Sequence, residues 1–462
     1  MTETVDLRGR RTAAGAARAA LGLMVLGALG TGGCRANDSN SGAGPEEEDL
    51  TASGHAQVLP GIDVLLADSL ELVRGRRVGL ITNRSGVSGA RRSTIDLLHE
   101  SPGVRLVALF APEHGIRADA PEGAAIADGR DPTTGLPVFS LYGQTTAPTP
   151  EMLAEIDIMV FDIQDIGARY YTYVSTMARA MAAAGATGVP FVVLDRPNPL
   201  GAAVQGPVLD PAYSSFVGLY PVPVRHGMTV GELARLFVGE FGIEVDLTVV
   251  PVRGWRSGDW FDDTGLPWIP PSLNMPTLES AAHYPGTCLF EGTNISTGRG
   301  SEEAFRMLGA PWLDGPAWSD RINALLAELD LGGVVVEPHQ FTPRNPSDGK
   351  FPGQLLAGIR LTVTDRDAYR PPAVALVALV AARSLGGKYW EWRVAHFDRL
   401  AGSAVVRAAV EQVGSSVRST GDSAAALREV LESWEAPLAD FLRLRAPYLL
   451  YSRQAAPENT GG

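Results

Sequence analysis

Glu113 has the setting of a working acid. It stands in Ala111-Pro112-Glu113-His114-Gly115, where Pro112 restricts the backbone before it and Gly115 permits tight curvature after it. A carboxyl presented on such a turn, with His114 beside it, could serve as general acid. The alternative is that Glu113 salt-bridges or caps the next helix while His114 is a satisfied structural histidine. A second cluster, Asp162, Gln164, Asp165 and Arg169, runs directly into Tyr170, Tyr171 and Tyr173. Strand alternation puts Asp162 and Gln164 on one side, with Asp165 in the loop beyond. These groups could hydrogen-bond sugar hydroxyls while a ring supports the sugar face. Helix capping by Asp165, with the tyrosines in the core, is the plainer alternative.

Further polar residues sit in turns: Asn83 in Asn83-Arg84-Ser85-Gly86, then Asp195, Arg196 and Asn198 around Pro197, then Arg225-His226-Gly227. Arginine suits a carboxylate because its planar fork makes two parallel hydrogen bonds, though each of these could equally be an internal ion pair. Asn274, Glu291, Asn294 and Arg299 come from later loops rich in glycine and proline, and they could close a site from its other side. His114, His226 and His283 with Glu113 or Asp162 make up the metal alternative, but no H-E-x-x-H or paired-cysteine spacing supports it. No metal or other cofactor is expected. G-x-S-x-G is absent, as are G-x-x-x-x-G-K-[ST] and a G-x-G-x-x-G after the first strand, which argues against a serine hydrolase and a nucleotide cofactor.

Short apolar runs at 77–82, 105–111, 156–163 and 190–194 must position these groups, and they alternate with helical patterns at 94–99 and 172–184. That alternation is the signature of a parallel sheet flanked by helices. Each run ends in one of the polar clusters, and open α/β sheets bind ligands beyond the carboxyl ends of their strands, so the four clusters point to one site. Thr149-Pro150-Glu151 reads as a helix start, and Thr229 with Glu232 as a capping box opening a helix over 229–241. A strand is expected over 245–252. The stretch 265–274, with Pro267, Pro270 and Pro271, should be a fixed irregular loop. Beyond it, a helix over 318–329 and strands over 332–336 and 355–364 suggest a second α/β unit.

The chain has 462 residues, 45% of them hydrophobic and 20% charged, which is enough for more than one domain. A net charge of −13 argues against nucleic acid as a partner. Arg8, Arg10, Arg11 and Arg18 precede an apolar stretch over 19–29 that is too short to span a bilayer, and Thr31-Gly32-Gly33-Cys34 follows. This looks like a lipobox, with residues 1–34 a signal peptide and Cys34 the lipidated residue. Plain secretion or an inert N-terminal extension is the alternative. Residues 35–57 read as a disordered tether and 454–462 as a disordered tail. Cys288, the other cysteine, cannot pair within an anchored chain and reads as a small buried hydrophobe.

Seven segments carry a resemblance: RVGLITNRSGV at 77–87, LFAPEHGIR at 109–117, VFDIQDIGARYYTYVSTM at 160–177, VVLDRPNPLG at 192–201, VRHGMTVGELA at 224–234, FDDTGLPWIPPSLNMPT at 261–277 and YPGTCLFEGTNISTGRG at 284–300. They resemble the NamZ-like exo-β-N-acetylmuramidase family, glycoside hydrolases formerly described as a domain of unknown function. The resemblance implies a Rossmann-like parallel-sheet N-terminal domain (58–285), a smaller C-terminal α/β domain (286–453) and an active site in the cleft between them. It also implies release of terminal N-acetylmuramic acid from the non-reducing ends of peptidoglycan fragments or muropeptides, in cell-wall turnover and recycling. The family's proposed catalytic glutamate maps onto Glu113. Ala118 and Pro121 depart from the family pattern in the loop that follows.

A glycosidase of this kind would have Glu113 protonate the glycosidic oxygen, with Asp162, Asp165 or Glu291, in that order, as second carboxylate, or with the sugar's own 2-acetamido group assisting. Arg225 or Arg299 would meet the lactyl carboxylate. The chain would be exported and lipid-anchored in the cell envelope, at the periplasmic face or the cell surface, with the membrane a partner through the anchor alone. The competing reading is a non-catalytic or differently specific envelope lipoprotein that binds amino-sugar wall fragments.

Overall fold

A computed structural model describes residues 58–117, 120, 123–124, 126–415 and 419–452. The expected lipidation site Cys34, tether 35–57 and tail 454–462, and the departures Ala118 and Pro121, lie outside the described residues. The chain forms strands β1 (Arg77–Thr82), β2 (Arg105–Ala111), β3 (Gly129–Arg130), β4 (Pro137–Ser140), β5 (Ile158–Asp162), β6 (Phe191–Leu194), β7 (Gln205–Val208), β8 (Pro223–Arg225), β9 (Leu247–Val250), β10 (Met307–Ala310), β11 (Val334–Phe341) and β12 (Leu356–Val363).

Seven of these make the central sheet in the order β3-β4-β2-β1-β5-β6-β9. All its pairings are parallel except β3 with β4. Both faces of its middle strands are covered, so β1, β2, β5 and β6 are largely apolar rather than alternating with polar residues. Leu80, Val160 and Val192 point into one core with Ile62 and Leu65 of the helix Gly61–Asp68 and Leu98 of the helix Thr94–Glu100. Ile81, Phe161 and Val193 point into the other, with Met177 and Met181 of the helix Tyr173–Thr187 and Leu233 of the helix Val230–Glu240. The expected capping box is present: Thr229 accepts from the Glu232 backbone, and the Glu232 side chain accepts from the Thr229 backbone.

The C-terminal part is the expected smaller α/β unit, built on a three-stranded antiparallel sheet, β10-β12-β11. Its central helix, Pro371–Gly386, is apolar on every side and nearly all buried, as a helix enclosed by others must be. The hydrophobic core on the second face of the main sheet continues without a break through Phe290, Trp318, Leu376 and Leu427 of this part. The expected boundary at 285/286 falls inside one helix, Leu278–Thr287. β7 and β8 form a separate antiparallel ribbon.

Candidate active site

In chain order the sheet grows from β1 outward through β2 to β4, then returns to place β5 on the other side of β1. The switch point where open α/β sheets usually hold ligands therefore lies between the carboxyl ends of β1 and β5. Here that crevice is filled. Thr82 Oγ1 donates to the Asp162 carbonyl at 2.8 Å, and Thr94 donates to the Asp162 carboxylate. Arg196 donates through Nε to Asp162 Oδ1 at 2.5 Å and through Nη2 to Oδ2 at 2.9 Å. Both side chains are fully or almost fully buried. Asp162, expected as the leading second carboxylate, is thus the partner of an internal ion pair and does not line the cleft.

The other polar groups at this rim lock loops together in the same way. Asn83 accepts from the Ser85 amide and hydroxyl and donates to the Pro271 carbonyl. Gln164 donates to the carbonyls of Asp165 and Pro197. Asn198 donates to the Met228 carbonyl and accepts from the Leu200 amide. Asp195 accepts from Thr229, Tyr451 and the amides of Arg196 and Gly231 at the start of the helix Val230–Glu240. Burial pushes its carboxyl up to about 6, against the pull of the Tyr451 and Thr229 hydroxyls.

Asp165 accepts from the Gly167 amide at 2.7 Å, with His226 Nε2 3.7 Å away. Arg169 donates to the carbonyls of Pro207, Val222 and Leu400, stitching the ribbon to the C-terminal part. Arg225 is held by Gln205 and the Leu200 carbonyl and lies against the Trp260 ring. Asn294 bonds the backbone of Tyr389 and Glu391. None of these residues lines the cleft. Asp165 was expected as a second carboxylate and the others to bind substrate, and all of them hold the walls instead.

The cleft itself, about 300 Å³, opens where the loop after β2 meets the start of the helix Tyr173–Thr187 and the C-terminal part. Glu113, His114, Tyr170, Tyr171, Tyr173, Asn274, Glu291 and Arg299, all singled out from sequence, line it. A tight turn delivers Glu113: the Gly115 amide donates to the Pro112 carbonyl, and His114 and Gly115 both take positive φ, at 70° and 78°. A histidine in that region is strained, a condition that persists at sites the surroundings over-determine. His114 Nδ1 lies 2.8 Å from the Ala120 carbonyl, which fixes its ring. Glu113 accepts from the Gly123 amide at Oε1 (3.1 Å) and from Thr172 Oγ1 at Oε2 (2.5 Å). Thr172 immediately precedes the helix Tyr173–Thr187, whose positive end favours negative charge.

Across the cleft, Arg299 donates to Glu291 Oε1 through Nε (3.0 Å) and Nη2 (2.5 Å). Burial works to raise the Glu291 carboxyl, but Arg299, His396 and buried Lys350 outweigh it and hold the group well below the usual carboxylate range. Lys350 donates to the carbonyls of Phe290 and Ile295, and burial lowers its ammonium to about 8. Aromatic rings complete the wall. Tyr284 packs edge-on against Tyr170, Tyr171 and Phe305 with centroids 4.6 to 5.7 Å apart. The Tyr170 hydroxyl donates to the Pro285 carbonyl and that of Tyr173 to Pro271, both at 2.6 Å. Burial pushes the phenols of Tyr170, Tyr173 and Tyr284 far up, so they stay neutral and pack rather than act as bases.

Thr172, Gly123, Tyr142, Phe216, Ser272 and His396 also line the cleft and were not singled out from sequence. Thr172 lay within a quoted segment and could have been found by asking what the carboxylate of Glu113 needs behind it. His396 carries no such signal, since it reaches Glu291 from a helix about a hundred residues later (Nε2 to Oε2, 3.8 Å). Among the described residues no three histidine, cysteine or acidic side chains gather as metal ligands. His226 and His283 line other cavities.

Comparison with known proteins agrees over most of the chain. The family profile for the N-terminal part of the exo-β-N-acetylmuramidase NamZ matches residues 78–279, and that for the C-terminal part matches 282–451. The peptidoglycan β-N-acetylmuramidase NamZ of Bacillus subtilis (strain 168) is 44% identical over 432 residues, which covers 93% of this chain and 98% of that protein. A crystal structure of a DUF1343 family protein from Bacteroides fragilis NCTC 9343 is similar with a TM-score of 0.76 and 36% identity, covering 86% of this chain and 99% of the other. A second DUF1343 family structure from the same strain gives a TM-score of 0.67 at 30% identity, covering 86% of this chain and 100% of the other. With both profiles matched in order over more than half its length, the chain belongs to the NamZ exo-β-N-acetylmuramidase family of glycoside hydrolases.

Proposed function

We propose that this chain is an exo-acting β-N-acetylmuramidase, which hydrolyses the terminal non-reducing N-acetylmuramic acid from peptidoglycan fragments and serves cell-wall turnover and recycling. The observation that carries this reading is Glu113, which reaches a lined cleft while its carboxylate is held from behind by Gly123 and Thr172. In its protonated form it would donate to the glycosidic oxygen as the sugar ring develops positive charge, and as carboxylate it would then draw a proton from the attacking water.

Glu291 is the second carboxylate of the cleft in this mechanism, ahead of Asp162 and Asp165. Kept ionised by Arg299, it suits stabilising the oxocarbenium-like charge or orienting water, not giving up a proton. Arg299 is the cationic partner for the lactyl carboxylate, because it lines the cleft and Arg225 does not. A neutral amino sugar would leave that guanidinium without its second anion, and selectivity between the two sugars would follow.

The same reading includes export and a lipid anchor at Cys34, supported by the arginine-led apolar segment and the small residues before that cysteine. The deciding experiment incubates purified protein with a disaccharide whose non-reducing end is N-acetylmuramic acid and identifies products by mass. Release of the free terminal sugar is expected, and an intact substrate under conditions where the protein is folded would overturn the proposal.

A further inference from the structure

The cleft has a second chamber. A cavity of about 590 Å³ lies beyond Asn274, which lines both spaces. The two are tied by construction. Arg299 belongs to the inner wall, and the next three residues, Gly300, Ser301 and Glu302, belong to the outer one. Opposite them stands the loop after β11, contributing Thr342, Arg344 and Asn345.

That loop is held stiffly. Pro343 and Pro346 are buried between exposed Thr342, Arg344 and Asn345. The Arg344 amide donates to the Gly300 carbonyl at 3.2 Å. A Cβ on Gly300 would come within 2.4 Å of the Arg344 carbonyl, so only glycine permits this approach. Asn274 Nδ2 donates to Ser347 Oγ at 3.1 Å, which ties this residue, common to both linings, to the same loop. The outer space is therefore a preformed wall presenting hydroxyls, two amides and one charge of each sign, with exposed Leu273 as its apolar patch.

These features have a geometric consequence for the function proposed above, on which this inference rests. An inner space of 300 Å³ is at the small end of ligand sites, which run from roughly 300 to 1,000 Å³. It suits one sugar. An enzyme that removes a terminal unit must let the remainder of its substrate leave by an open side, and the outer chamber adjoins the inner one, with Asn274 lining both. We propose that the chamber walled by Ser301, Thr342, Arg344 and Asn345 is the leaving-group subsite, which takes the uncharged N-acetylated amino sugar that carries the cleaved oxygen. Mixed hydroxyl and amide donors and acceptors fit the hydroxyl-rich faces of such a sugar, and Leu273 offers a surface for its apolar face.

The test compares two substrates on one enzyme: an aryl glycoside of N-acetylmuramic acid, which places only a flat ring beyond the bond, and the peptide-free disaccharide. For the double variant Thr342→Ala/Arg344→Ala, the ratio of kcat/KM for disaccharide to that for aryl glycoside is expected to fall about tenfold, mostly through KM. Asn345→Ala is a second, independent variant with the same expectation. An unchanged ratio in both folded variants overturns the subsite. A loss seen only with substrates whose terminal sugar bears a peptide stem also overturns it, since the chamber would then hold peptide. If the unaltered enzyme turns over neither substrate, the functional reading itself fails, a result distinct from an active enzyme whose ratio does not move.

Discussion

Arg299 and Glu291 meet through a single carboxylate oxygen: Nε and Nη2 of the arginine both reach Oε1, while Oε2 faces His396 at 3.8 Å. The guanidinium is thereby fixed in the cleft wall, over the Phe305 ring with Cζ 5.0 Å from its centroid. Arg299→Met should cost stability, about 3 kcal/mol, because it strands a buried carboxylate. It should also lower the preference for N-acetylmuramic acid over N-acetylglucosamine glycosides by roughly ten- to a hundredfold, the worth of a charge-assisted hydrogen bond. Parallel kcat/KM measurements on the two aryl glycosides check this, and an unaltered preference would exclude Arg299 from carboxylate recognition.

Glu113→Gln keeps the shape of the side chain and removes the transferable proton. Hydrolysis should fall by about 10² to 10⁴, the range for loss of a general acid. Binding of the product sugar, followed by calorimetry, should persist. A variant that hydrolyses at the original rate would remove Glu113 from the mechanism.

Thr172 is a positioning residue acting through Glu113. Thr172→Val removes the hydroxyl with little change in volume, and kcat should drop about tenfold, as loss of one hydrogen bond predicts. Thr172→Ser should restore most of it. Failure of serine to rescue would mean that packing, not the donated bond, is what matters.

The Asp162–Arg196 pair should behave as structure alone. Arg196→Met leaves a carboxylate buried at the heart of the sheet and should destabilise the fold by about 3 to 5 kcal/mol in denaturant titration. Whatever protein remains folded should keep the KM of the parent. A large KM change with little loss of stability would return Asp162 and Arg196 to the substrate.

Asp195 should give stability an unusual pH dependence. Its folded carboxyl is raised to about 6 by burial, from 3.8 for the free side chain, so the folded state holds a proton that the unfolded chain has released. Its contribution is fully present below about pH 4 and is lost as pH rises to about 6, a change of roughly 3 kcal/mol. Asp195→Asn should flatten that slope in chemical denaturation measured from pH 4 to 7. Equal slopes for the two proteins would contradict the assignment.

What could be read in the sequence was what local pattern controls. The limits of β1 and β2 and the capping box at Thr229 depend on neighbours a few residues away, and they appear where the pattern puts them. Strand order in the C-terminal sheet and the ribbon β7-β8 depend on pairings across long separations and carry little local signature. The site divides in the same way. Glu113 stood out because a proline and a glycine frame it. Asp162, Gln164, Asp195 and Asn198 looked alike because a polar side chain at a strand end is equally useful for holding a ligand or a neighbouring loop. Only the partner decides, and Arg196 reaches Asp162 from 34 residues away.

The helix Leu278–Thr287 spans the junction between the two parts, and one apolar interior runs beneath both. Neither half can be excised without exposing a large greasy surface, so each expressed alone should aggregate rather than fold. Such a molecule evolves as a unit: new specificities must come from exchanging loops around the opening, because swapping whole modules would break the interior they share.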